Sequence, residues 1–562
     1  MAGSVSRIYS NFRGVDFRGE EINLSRSPDS LNVWKDYKET ESIRTRPGMK
    51  RLHLFDAPVF GIWFYKGNMF VHSGNDIYEI IEGHEPYYHT RGEINAAPSQ
   101  AFVFENTLYF KDGVNYLYFD EGSACFMPVE GYVPTTSIGR RPSGGGTMHE
   151  DVNMLSDYRI NSFLANGEDT KYYLDTQSID SDYMPVVTYG DEVCNTDDYL
   201  VDFEKGVISF GAFIPMSPAT DGQDNVTVKF KKHVPGYKEK ILGCTQLQTF
   251  DNRVFFSGNP DHPNVIWHSS LDNPAYCSDT DFYREGVDES QIRGMVAGNN
   301  ALWVFREPSS ANTTVFYHTP TIDDEYGKIY PAAHSSVSVG CIGRAVNFND
   351  DIVFFSNRGM EGISGDITTE QVVAHRSSLV DRKMIAEPEY RDMILQEWNG
   401  YLCVFIGNKV YLADSRAVFT NENHVEYDWF YWELDKHVTS SCVSSGILYV
   451  GTTDGVYSFT DNEKYLESYW VTPKDKFGHP HQLKTTNKRG CVGEATGDIA
   501  VYAKVEDTEF EHIGTYENIM DYFVCRIKRK KFKDIQLKFH SLTRFSLETV
   551  TLESFIGGYI KR

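Results

Sequence analysis

The sequence is poor in positive charge: 54 Lys and Arg stand against 79 Asp and Glu, a formal net charge of −25 over 562 residues. A protein built to grip nucleic-acid backbone clusters Lys and Arg, so this balance excludes that as the main role. DNA sliding past an acidic wall would be repelled rather than held, and that remains compatible. Cysteine is present but unpatterned. Cys125, Cys194, Cys244, Cys277, Cys341, Cys403, Cys442, Cys491 and Cys525 lie far apart, are odd in number and contain no Cys-x-x-Cys pair. This excludes a disulfide framework or zinc ribbon and reads as reduced thiols in a protein assembled in a cytosol. No apolar run approaches the roughly 18 residues of a membrane span, and the opening MAGSVSRIYSNF lacks the apolar core of a signal peptide. Neither a membrane partner nor secretory export is expected.

Catalytic patterns are also missing. There is no H-E-x-x-H, no G-x-S-x-G and no Cys or His spacing suited to a metal, so no enzyme activity, cofactor or metal is expected. His479-Pro480-His481 is the nearest His pair, and its central proline suits an exposed loop. The stretch Gly139-Arg140-Arg141-Pro142-Ser143-Gly144-Gly145-Gly146-Thr147 lacks the Gly-Lys-Ser/Thr ending of a phosphate loop and is expected to be a flexible connector. Asp180-Ser181-Asp182 and Asp279-Thr280-Asp281 do not extend into a calcium loop and read as solvated turns. Propeller glycosidases use paired carboxylates, but the S-x-D-x-G-x-T-W repeat of sialidase-like propellers is absent.

What the sequence does have is aromatic weight, 35 Tyr and 36 Phe, which favours strands over helices. A short apolar strand repeatedly follows a polar Asn or Gly turn, with a second strand after it. Seven copies open at Gly67, Asn106, Asn252, Asn300, Asp350, Gly400 and Gly446, with steps of 39, 146, 48, 50, 50 and 46 residues. Five of these steps match the roughly 40–50 residues of a four-stranded propeller blade. The sixth exceeds one blade by about 100 residues, enough for an inserted β domain. Generic hairpins in sandwiches are the competing reading, and the regular spacing disfavours it. The blade count is seven, with six or eight open because a terminal strand can complete the first or last blade.

The expected fold is therefore all-β: a β-propeller with an inserted small β-sandwich and a C-terminal β-sandwich. The expected divisions are a leading segment 1–52, propeller 53–124, insertion 125–240, propeller 241–465 and C-terminal domain 466–562. In the last, Ile499–Val505, Phe532–Phe539 and Val550–Phe555 alternate apolar and polar residues with strand period. It also carries the one basic run, Arg526, Lys528, Arg529, Lys530, Lys531 and Lys533. These six are candidates for contact with an acidic partner or passing DNA, against the plainer reading of a solvated edge strand that Lys protects from unwanted pairing.

Four places bear a family likeness. They are Asn32-Val33-Trp34 followed by Ser42 to Leu52, with its Arg46-Pro47-Gly48 turn; Tyr158 to Gly167 with Gly206 to Phe210; Phe255 to Gly258 with Pro263 to Ser269 and Asp272 to Pro274; and Gly340 to Arg344 leading to Ile352 to Gly359. Together they resemble the propeller-containing tail nozzle and packaged-DNA-stabilising proteins of short-tailed bacteriophages. The resemblance implies a homo-oligomeric ring, a hexamer, located in the virion below a portal or adaptor ring and beside other tail proteins. Such a ring closes the capsid and lets double-stranded DNA pass transiently at ejection. The alternative is a receptor- or glycan-binding tail protein, possibly glycan-cleaving, with aromatic residues on blade loops as the sugar platform.

Overall fold

The computed structural model describes residues 4–36, 41–81, 84–90, 94–220, 222–309, 313–323, 327–334, 339–364, 372–421, 424–460, 465–528 and 531–559. The chain is a β-propeller of seven four-stranded antiparallel blades, with an inserted β-sandwich and a C-terminal β domain. Contact density divides it into two compact units, residues 1–98, 303–317 and 333–562, and residues 99–302 and 318–332.

The blades span 59–88, 100–128, 246–284, 292–334, 345–375, 394–433, and 438–460 completed by 48–54. The rhythm seen in the sequence has a backbone cause. In every blade a two-residue turn joins the first and second strands, and both turn residues adopt positive φ: Lys66 and Gly67, Glu105 and Asn106, Asp251 and Asn252, Asn299 and Asn300, Asn349 and Asp350, Asn399 and Gly400, Ser445 and Gly446. Such turns match the right-handed twist of the strands they join and select Asn, Asp and Gly. The second strand that follows is buried along nearly its whole length, as in Ala301–Arg306, Asp351–Ser356 and Tyr401–Ile406. A strand covered on both faces carries a continuous apolar run rather than an alternation, which is how Leu302 to Phe305 and Ile352 to Phe355 read.

The seventh blade takes its outer strand from the other end of the chain. Gly48–Leu54 pairs antiparallel with Gly455–Thr460. Gly455 is needed there, since a Cβ would lie 2.3 Å from the His53 carbonyl oxygen.

The insertion holds a six-stranded sheet and a three-stranded sheet. Phe163, Tyr172, Val187, Ile208, Phe210, Val226, Val228 and Phe230 form their shared core. Cys125–Pro128 is the fourth strand of the second blade, so the two-sheet insertion begins at Thr135 and its last strand is Val226–Lys231. The glycine-rich stretch expected to be a flexible connector is instead a tight hairpin. Thr135–Arg140 returns through an Arg141–Gly144 bridge to Thr147–Met148, and the Gly139 N–H donates to Asp224. Asn153, fully buried, anchors the insertion to the third blade. Its amide donates to the carbonyls of Tyr132 and Ala275 and its oxygen accepts from the N–H groups of Leu155 and Cys277.

The C-terminal domain is all-β, and hydrogen bonding links its strands with four from the leading segment into a sheet of 11 strands. Its spine is Gln482–Val505, which pairs with Phe545–Tyr559 along one side. The leading segment is woven into that sheet: Ser4–Tyr9 pairs with Phe545–Tyr559 and Ser30–Leu31 with Ser468–Val471. The same segment docks on the sixth blade. Trp34 stacks on Trp398 at 5.2 Å between ring centres and meets Trp432 and Tyr401 at 5.6 Å. Buried Arg46 donates to the Asn32 side chain and to the Pro47 and Glu433 carbonyls. Gly14, at φ +77°, passes so close to Trp429 that a Cβ would meet its carbonyl oxygen. One apolar cluster consequently joins the sixth and seventh blades to the C-terminal sheet, running from Trp398 and Leu448 through Trp34 to Trp470 and Leu537.

Candidate interaction surface

The basic run follows strand geometry. Tyr522–Cys525 and Lys531–Phe532 pair one after the other with Gln482–Val505. Phe523, Cys525, Ile527 and Phe532 enter the core. Arg526, Lys528, Lys531 and Lys533 stand exposed between them, as a two-residue period requires. Arg529 and Lys530 lie outside the described residues. Lys484 supports this edge from inside: it is fully buried, and its ammonium donates to the carbonyls of His479 and Lys533, the latter at 2.6 Å. Burial lowers its pKa, against the pull of Asp534 and Asp475.

Among the described residues, Arg526, Lys528, Lys531 and Lys533 make no ion pair. Nearby cations do: Lys474 reaches Asp507 at 3.0 Å and Glu20 at 3.6 Å, and Lys504 reaches Glu20 at 3.2 Å. Arg26 and Arg13 share Asp428 at 2.6 and 2.7 Å. Arg526 and Lys528 also line a cleft with His512, Ile513, Phe532 and Ile535. The arrangement presents cations over an apolar floor.

The other sequence candidates are spread through the molecule. His479 and Pro480 sit in an exposed turn. Asp180 accepts from the His233 N–H, Asp182 pairs with Lys231, and Asp279 accepts from the Tyr237 hydroxyl at 2.9 Å. Burial pushes Asp281 up to about 6. Among the described residues, no group of three or more His, Cys, Asp and Glu is placed to hold a metal ion.

Two constellations escaped sequence reading because their members are distant in the chain or carry no motif. In the fifth blade, His375 lies between Asp381 and Glu361, its Nδ1 3.3 Å from Glu361. Burial opposes its charge, but the hydrogen bonds to Asp381 and Glu361 prevail and raise it to about 10. Ser377 donates to Asp381. The second is Cys491, which faces Cys525 across the strand pair that leads into the basic edge.

Fold and surface together define a β-propeller protein with two appended β domains and a cationic edge. No family model matches the chain, and no curated protein matches it. Among solved structures it is similar to a computationally designed protein, Ika8, at 10% identity over 73% of this chain and 98% of that one, with a TM-score of 0.32. It is similar to BamB from Moraxella catarrhalis at 11% identity, over 74% and 96% of the two chains, with a TM-score of 0.34. It is similar also to AztD from Citrobacter koseri at 8% identity, over 93% and 99%, with a TM-score of 0.29. The fold assignment rests on the chain's own sheet topology. No helix among the described residues is long and apolar enough to cross a membrane.

Proposed function

We propose that this chain is a structural component of a phage virion, a ring-forming tail nozzle or head–tail closure protein that forms part of the DNA exit. The observation that carries the reading is a cationic edge whose described residues Arg526, Lys528, Lys531 and Lys533 make no ion pair, on a chain of net charge −25. A subunit that is acidic over most of its surface and basic along one strand edge is complementary to an acidic neighbour, whether its own copy or an adaptor ring. Rows of blade and sheet edges supply the many weak contacts by which such a ring closes. The acidic remainder repels phosphate and suits a wall past which DNA slides. The likeness of the Asn32–Leu52 segment to tail nozzle proteins points the same way, and Arg46 there is a buried latch to the sixth blade.

Negative-stain microscopy and mass photometry of the purified protein test the reading. Rings with a central hole, lost when Lys528, Arg529, Lys530 and Lys531 are changed to Gln, are the expected result. A persistent monomer or trimer that binds a glycan array would overturn it in favour of a receptor-binding tail protein.

A further inference from the structure

We propose that Cys491 and Cys525 form a modification site, a thiol pair that hydrogen peroxide oxidises to a cross-strand disulfide. The two residues are directly opposed in the antiparallel register of Gln482–Val505 and Tyr522–Cys525. Opposed Cα atoms in such a ladder lie about 4.5 or 5.5 Å apart. A disulfide spans about 4.4–6.8 Å, so bridging asks for no backbone rearrangement. Both side chains are buried. All nine cysteines are free thiols, and among the described residues this is the one pair that strand register sets face to face.

The two sulfurs are not equivalent. Cys491 beside it holds Cys525 below the usual thiol range, against the upward push of burial. Cys525 and burial together push Cys491 up. With Cys525 written as the attacking thiolate, Cys491 is the resolving thiol. The Cys525 sulfur attacks one oxygen of the peroxide and the O–O bond breaks. The departing hydroxide takes up the proton Cys525 gave up and leaves as water, and Cys525 becomes a sulfenic acid. The Cys491 sulfur then attacks the Cys525 sulfur, the S–O bond breaks, and hydroxide leaves with the Cys491 proton as a second water. Two thiols and one peroxide give one disulfide and two waters; the two electrons lost by sulfur reduce the peroxide.

Access follows from the strand itself. Tyr522–Cys525 is only four residues long, and its alternate residues Tyr522 and Val524 are solvent-exposed. Short, exposed strands open locally far more often than the molecule unfolds, and peroxide is small enough to enter through such an opening. The cross-link would tie this strand to the sheet immediately before Arg526 and so hold the start of the basic edge. The site stands independently of the virion reading.

The full chain, purified under reducing conditions, is treated with hydrogen peroxide, alkylated, unfolded and digested without reductant, and its peptides are read by mass spectrometry. The expected product is a peptide pair joining Cys491 to Cys525, two hydrogen atoms lighter than the separate peptides and released by dithiothreitol. Cys403→Ser should leave that product in place and Cys525→Ala should abolish it. Recovery of both cysteines as alkylated thiols, their separate conversion to sulfinic or sulfonic acids, or their linkage to other cysteines would overturn the proposal. Because the cross-link is read on the unmutated chain, the test does not depend on whether either variant folds.

Discussion

Single residues carry two kinds of information here, and only one kind is visible in the sequence. The Asn, Asp and Gly at the seven blade turns announce themselves because positive φ is costly for most other side chains. His375 announces nothing: it has no motif, and its partners Glu361 and Asp381 become neighbours only when the fourth strand of the fifth blade returns beside the third. Its folded pKa of about 10 exceeds the ordinary histidine value of 6.5. A raised histidine stabilises fully below its unfolded pKa, and that contribution is lost as pH rises through about 10. Between pH 6 and pH 10 the wild-type chain should therefore lose about 2 kcal/mol more stability than His375→Gln, after discounting for solvent at a side chain 29% exposed. Urea unfolding of both proteins at the two pH values measures this; equal losses would mean that the histidine contributes nothing through its charge.

At the scale of elements, the second strand of each blade was legible because burial on both faces writes an unbroken apolar run. Most of the fourth strands were not, being as short as Tyr87–Tyr88 and Ala332–His334. The outer strand of the seventh blade lay concealed in the leading segment, since Gly48–Leu54 alternates weakly and nothing in it names Gly455–Thr460 as partner. That pairing makes Gly455 a sensitive position. Gly455→Ala forces the His53 carbonyl to move and is expected to cost about 2 kcal/mol. Thermal unfolding with protease sensitivity at residues 48–54 reads the effect, and an unchanged melting temperature would deny the close approach. The glycine-rich 139–147 stretch misled for a related reason: its composition fits a linker equally well, and the strands on either side decided that it closes a hairpin.

For the whole molecule, the extra hundred residues between the second and third turns correspond to a domain with its own core. Its ends run into strands that flank Tyr158–Phe163 on either side in one sheet: the Pro134 carbonyl accepts from Ile160, and Lys232 donates to the Asp157 carbonyl. Two strand spacings make roughly 10 Å, which a short Gly-Ser linker can bridge to join residues 133 and 234. A chain so shortened is expected to keep a cooperative β-sheet unfolding transition, somewhat weakened by loss of the Asn153 anchor. Residues 134–233 should fold alone. Circular dichroism melts of the two pieces check both; a fragment without a transition would show that its two sheets depend on the third blade.

Strand content, blade rhythm, the place of the insertion and the basic run are properties of local order along the chain: turn chemistry, apolar periodicity and charge act between near neighbours and can be read without a fold. The weaving of residues 4–34 into the C-terminal sheet, the strand 48–54 in the seventh blade, the carboxylates around His375 and the meeting of Cys491 with Cys525 were decided only in three dimensions. Each joins segments whose separation in sequence carries no trace of their pairing, because strand partners are set by edges and apolar faces that meet only in the folded chain.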